Sequence, residues 1–187
     1  MSAAEFQTQW ERDGFFMIRG LFTADECKAM LDDSVALVRS SGQKALDKPV
    51  SGHDGMIIQR EDNPNPYAKN TEDRIAKVFN FHLRPGVFTA FRNDARVTGT
   101  LSGILGEDID CFQSQFIWKN PGASGQPWHQ DTHDFPFDKG PHIGVWLALT
   151  EATLQNGCLS VLPGTHRDPI HHHGPDKRPN SLLGYLE

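Results

Sequence analysis

Apolar residues recur along this chain at several spacings, and each spacing predicts a different element. Phe6 and Trp10 lie four residues apart behind Ser2 and Glu5, a capping-box pair, and predict a short helix that Gly14 ends. The run FFMIRG that follows predicts a buried strand. A second capping box, Thr23 to Glu26, opens a longer helix with Cys27, Met30, Leu31, Val35 and Val38 on one stripe, stopped by SSG at 40–42. Residues 43–72 are rich in Gly, Pro, Asn and Asp and predict irregular loops around one strand, GMIIQ. DRIAKVFNF returns to apolar character, and Pro85 and Asp94 open helical stretches that run to ILG at 104–106.

From residue 109 the period changes to two. In DIDCFQSQFIWK, Phe112, Ser114, Phe116 and Trp118 fall on one face, with Cys111, Gln113, Gln115 and Ile117 on the other. PGASGQP turns the chain, an HQD strand follows, and HIGVWLALTEA and GCLSVLPG predict further strands joined through an Asn156-Gly157 hairpin turn. Helices precede strands instead of alternating with them. That order predicts a mainly β, α+β domain: a helix layer packed on a jelly-roll barrel.

Composition narrows the classes. With 187 residues, one domain with a sizeable core is expected, and 37% hydrophobic with 22% charged residues is a globular balance. The net charge of −6, without a basic stripe, argues against nucleic acid as a partner. No apolar run approaches the roughly 20 residues of a membrane span, and the acidic-polar N-terminus has no basic signal-peptide region. Three widely spaced cysteines, Cys27, Cys111 and Cys158, fit reduced thiols in a cytoplasmic protein.

The densest chemistry is PWHQDTHDFPFD at 127–138. If residues 127–131 are extended, His129 and Asp131 project to one side and Gln130 to the other, because side chains alternate along a strand. A nitrogen and an oxygen donor on one face make half of a facial metal site. His133 and Asp134 read as polar loop residues near a substrate entrance, and the His171–His173 tract as a solvated loop.

WHQD followed by GVWLALTEATLQNGCLSVLPGTHR resembles the phytanoyl-CoA dioxygenase family of iron(II)- and 2-oxoglutarate-dependent oxygenases, and ERDGFFMIRGLFTADEC resembles its N-terminal segment. An HxD alone is common; HxD followed at this distance by NGCL and PGTH is specific. The resemblance covers about residues 8–168 and implies a cupin-like double-stranded β-helix. It implies Fe(II) ligands at His129 and Asp131 and 2-oxoglutarate contacts at Trp146, Lys77, Gln126 and Gln113. Related halogenating enzymes lack the carboxylate, so Asp131 implies hydroxylation of a small-molecule substrate by O2, with release of succinate and CO2.

The resemblance places a second histidine and a co-substrate arginine well beyond the PGTH segment, past Glu187. A single domain over 1–187, incomplete at its C-terminus, is therefore expected, with the apolar faces of Ile117, Val145 and Leu147 left uncovered. The alternative is a non-catalytic metal- or ligand-binding jelly roll that lacks the third iron ligand; three protein ligands on the metal would instead make His166 or one of His171–His173 the third, in a rewired family member. The substrate and the oligomeric state are not legible in the sequence.

Overall fold

The computed structural model describes residues 3–41, 50–51, 55–61, 65–123, 125–135, 141–175, 177 and 184–186. Ser2 of the first capping box, Gly42 of the expected helix stop, much of the 43–72 segment and Asp138 lie outside the described residues. The chain divides into two compact units. One comprises 1–17, 124–147 and 160–187; the other comprises 18–123 and 148–159.

In the first unit, helix α1 (Ala3–Asp13) carries Phe6 and Trp10, whose rings pack on Phe16 at 5.0 and 6.3 Å between centroids. The Gly14 N–H closes the helix on Trp10 O at 2.8 Å, and Gly14 then adopts a positive φ of 79°. FFMIRG was expected to be a strand, but residues 15–18 form no ladder. The left-handed Gly14 turns the chain sharply, and Phe16 is held by α1 instead of by a neighbouring strand. The Asp13 carbonyl accepts the Gly164 N–H at 2.8 Å, which fixes the PGTH turn against the end of α1.

In the second unit, helix α2 (Ala24–Ser41) begins with the expected capping box. The Thr23 N–H donates to Glu26 Oε2 at 2.7 Å, and the Glu26 N–H donates to Thr23 Oγ1 at 3.2 Å, so two donors without helical partners are satisfied reciprocally. Met30 and Val38 of the expected stripe are buried. Ser34 is buried with them, its hydroxyl donating to Met30 O at 2.7 Å. Helices α3 (Val87–Arg92) and α4 (Ala95–Leu105) follow, the latter capped by Asp94, whose carboxylate accepts the Arg96 N–H at 2.8 Å.

A four-stranded antiparallel sheet runs β1 (Val50–Ser51), β2 (Ile57–Arg60), β3 (Ile75–Phe79), β4 (Gln115–Ile117) in chain order. Its register gives the sheet two faces. Ile58, Val78 and Phe116 stand opposite one another, and Ile58 and Val78 join Val38, Ile75 and Phe81 in the core, with Phe116 and Trp118 packed against it. The other face aligns Gln59, Lys77 and Ile117. The alternation read in the sequence is the division between core and non-core sides over residues 115–118, whereas Phe112, expected on the core face, precedes the strand and is 48% exposed.

Among the described residues a closed jelly-roll barrel is not formed; the structure is mixed helix and antiparallel sheet. The apolar runs at 143–149 and 158–162, expected to be strands, have no ladder partners, and a continuous apolar run does not by itself specify pairing. Val145 and Ile117 are exposed, at 48% and 41%, while Leu147 is half-buried. The Asn156-Gly157 pair makes a tight turn instead of joining two paired strands: Thr153 O accepts both the Asn156 and Cys158 N–H groups. A two-stranded ribbon, β5 (His173–Pro175) with β6 (Gly184–Leu186), belongs to the first unit. No helix among the described residues is long and apolar enough to cross a membrane.

Candidate metal centre

His129 and Asp131 do not lie on one strand as expected. Gln130 between them is extended (φ −116°, ψ 121°), and Asp131 opens a one-turn helix, α5 (Asp131–Asp134). The single extended residue is enough to put the flanking side chains on one side. His129 Nε2 stands 3.2 Å from Asp131 Oδ1.

The imidazole is oriented from behind. The Pro127 carbonyl can only accept, so His129 Nδ1 carries the proton and donates it at 2.9 Å. Nε2 then faces the carboxylate, where two acceptors would repel unless a proton or a cation lies between them. Each group shifts the other accordingly. The hydrogen bond to Asp131 raises the His129 pKa from 6.5, against the opposing effect of burial, and the contact with His129 lowers that of Asp131.

The pair has the dimensions of two adjacent ligands. Donors each about 2.1 Å from a cation and at right angles stand about 3 Å apart. A neutral imidazole with its distal N–H pinned to a carbonyl, beside an ionised carboxylate, is also a donor set that suits Fe(II). Gly144 borders the carboxylate, since a Cβ there would stand 3.9 Å from Asp131 Oδ2. Among the described residues no group of three His, Cys, Asp or Glu side chains is placed to hold a metal ion.

The remaining sequence-derived positions divide between the units. Gln126 joins the centre, its Nε2 3.2 Å from His129 Nε2. Trp146 is in the same unit and 52% exposed. Lys77 and Gln113 belong to the other unit. Lys77 is half-buried on the sheet face away from the core, where burial and Lys119 lower its pKa. Gln113 lies just before β4, and its Oε1 accepts from Gln115 Nε2 at 3.1 Å.

Gln130 and His173 have partners that the sequence does not announce. Gln130 points away from the pair, as alternation requires, but into the segment at 169–173, and His173 of the supposed solvated tract is half-buried beside it. His166 packs on Gly14 and Trp10.

Residues 10–181 match the phytanoyl-CoA dioxygenase (PhyH) family model, and the chain belongs to that family. It is 30% identical over 171 residues to an ectoine dioxygenase of Stutzerimonas stutzeri (strain A1501), covering 88% of this chain and 51% of that protein. It is 32% identical over 172 residues to an ectoine dioxygenase of Streptomyces coelicolor, covering 89% and 52%. A probable alpha-ketoglutarate-dependent hypophosphite dioxygenase of Stutzerimonas stutzeri is 22% identical over 176 residues, covering 91% and 56%. The chain thus spans about half the length of these relatives. No solved structure matches it. Membership in this family supports an oxygenase, with Fe(II) and 2-oxoglutarate as the family's general requirements.

Proposed function

We propose that this chain carries the histidine and the carboxylate of the iron site in an Fe(II)- and 2-oxoglutarate-dependent dioxygenase that hydroxylates a small molecule. The observation that carries the reading is the approach of His129 Nε2 to Asp131 Oδ1 at 3.2 Å, with Nδ1 held by Pro127 O. Iron, when bound, would supply oxygen activation, so that substrate, O2 and 2-oxoglutarate become hydroxylated product, succinate and CO2. The protein's own part is to present one neutral nitrogen and one charged oxygen from a single turn. Gln126, beside the imidazole, and Trp146, Lys77 and Gln113 are proposed to contact the co-substrate carboxylates. Both compact units are read as parts of one family domain with a cupin-like jelly roll. The three unbridged cysteines suit a reducing compartment such as the cytoplasm.

The test is succinate release from 2-oxoglutarate by the purified protein with Fe(II), measured against Asp131→Ala and His129→Ala. Loss of turnover in both folded variants is expected. Undiminished succinate release in folded Asp131→Ala would overturn the assignment, and metal binding without turnover in the native protein would favour a ligand-binding role.

A further inference from the structure

Gln130, the residue between the two proposed ligands, is held at three points by one distant segment. Its backbone N–H donates to His173 Nε2 at 3.1 Å. Its side-chain Nε2 donates to Pro169 O at 3.2 Å, and its Oε1 accepts the His171 N–H at 2.8 Å. Both ends of the amide are satisfied in one orientation only, because a carbonyl cannot donate and an N–H cannot accept.

The tautomer of His173 follows by the same logic. Nδ1–H donates to His171 O at 2.8 Å, so Nε2 keeps its lone pair for Gln130. The His173 ring also lies flat on His133, with centroids 4.0 Å apart and planes 3° from parallel. His133 is in α5, two residues after Asp131. The turn that presents both donors is thus gripped at Gln130 and supported at His133.

We propose that residues 169–173, acting through Gln130 and His173, form a positioning clamp that presets His129 and Asp131 for a cation. The clamp rests on the reading of that pair as metal ligands. Neither Gln130 nor His173 touches the proposed metal. Their contribution is to stop the peptide between the ligands from rotating, so that the two donors converge before the cation arrives. Groups that orient ligands from outside contribute about 10- to 100-fold to metal affinity.

The experiment measures Mn(II) dissociation constants by electron paramagnetic resonance, with the melting temperature of each metal-free protein beside them. Gln130→Met keeps the length of the side chain and removes both amide contacts. His173→Phe keeps a ring against His133 and removes the acceptor, and His173→Gln restores an acceptor. Mn(II) should bind about 10- to 100-fold more weakly to Gln130→Met and His173→Phe, and recover towards the native value in His173→Gln. Unchanged affinity in folded Gln130→Met and His173→Phe, even with a lowered melting temperature, would overturn the clamp and leave a merely structural staple. If His173→Phe fails to melt cooperatively, Gln130→Met decides alone. Native protein that binds no Mn(II), or binds it equally well with Asp131→Ala, would instead remove the metal reading and the clamp with it.

Discussion

Gly14 faces the imidazole of His166: a Cβ on Gly14 would stand 2.4 Å from Nδ1 and 2.7 Å from the His166 Cβ. With the Gly164 N–H donating to Asp13 O, this contact joins the end of α1 to the PGTH turn. The final Gly of the ERDG segment and the His of the PGTH segment are parts of one joint.

Gly14→Ala should therefore lower the melting temperature clearly. The φ of 79° alone costs a residue with a Cβ roughly 1–2 kcal/mol, before the clash is added. Gly14→Ala with His166→Gly should recover part of the loss, because the ring and the Cβ at 2.7 Å are both removed while the backbone strain at Gly14 remains. A native melting temperature for Gly14→Ala would refute the packing.

Arg96 joins two helix starts in the second unit. It donates to Glu26 Oε1 at 2.6 Å and to Asp94 Oδ2 at 2.7 Å, with its guanidinium 4.1 Å from the Phe22 ring centroid. These hydrogen bonds hold both carboxyls at about 2, below their usual 4.5 and 3.8. A depressed folded pKa adds stability above the unfolded value, which is lost as pH falls through the folded one. Stability should thus decline between about pH 4.5 and 2, and Arg96→Met should flatten that limb. A native acid profile in melts of Arg96→Met would exclude the linkage.

The two faces of the sheet should respond differently to truncation. Val78 is fully buried, and Val78→Ala should cost roughly 2 kcal/mol or more, two methyl groups plus the cavity they leave. Ile117→Ala, on the other face and 41% exposed, should cost less than about 1 kcal/mol. Equal losses in urea denaturation would contradict the register of β3 with β4.

If Lys77 contacts the co-substrate, Lys77→Met should raise the KM for 2-oxoglutarate by about tenfold, a loss near 1.4 kcal/mol, with little change in kcat. Burial and Lys119 lower its pKa against the attraction of Glu61, and a co-substrate carboxylate would act in the same direction as Glu61. An unchanged KM would remove Lys77 from the site.

Local chemistry made parts of this structure legible in the sequence. Thr23, Glu26 and Asp94 mark helix starts because capping is decided within three residues, and the faces of 115–118 follow from the strand period, which Phe112, ahead of the strand, does not keep. The convergence of His129 and Asp131 was legible for the same reason, although the turn after Gln130 was not. What escaped was long-range or conditional. Gln130 and His173 are 43 residues apart in sequence, and nothing in either neighbourhood announces the other. Residues 15–18 and 143–149 are apolar enough for strands, but a strand also needs an edge to pair with, which composition cannot supply.

The turn at Asn156 sets a limit on the molecule's chemical lifetime. Oδ1 accepts the Thr153 N–H at 2.7 Å while Nδ2 donates to Glu151 O at 2.8 Å, so both halves of the amide are in use. An asparagine followed by glycine is the pair most prone to spontaneous deamidation: the next backbone nitrogen attacks the side-chain carbonyl, ammonia leaves, and water opens the resulting succinimide to aspartate or isoaspartate. Conversion to aspartate would replace the Nδ2 donor with a charged oxygen facing the Glu151 carbonyl. Ageing of the purified protein should therefore loosen this turn first, Asn156→Asp should lower the melting temperature as the aspartate fraction of aged protein does, and a variant melting like fresh protein would show that the turn does not depend on its amide.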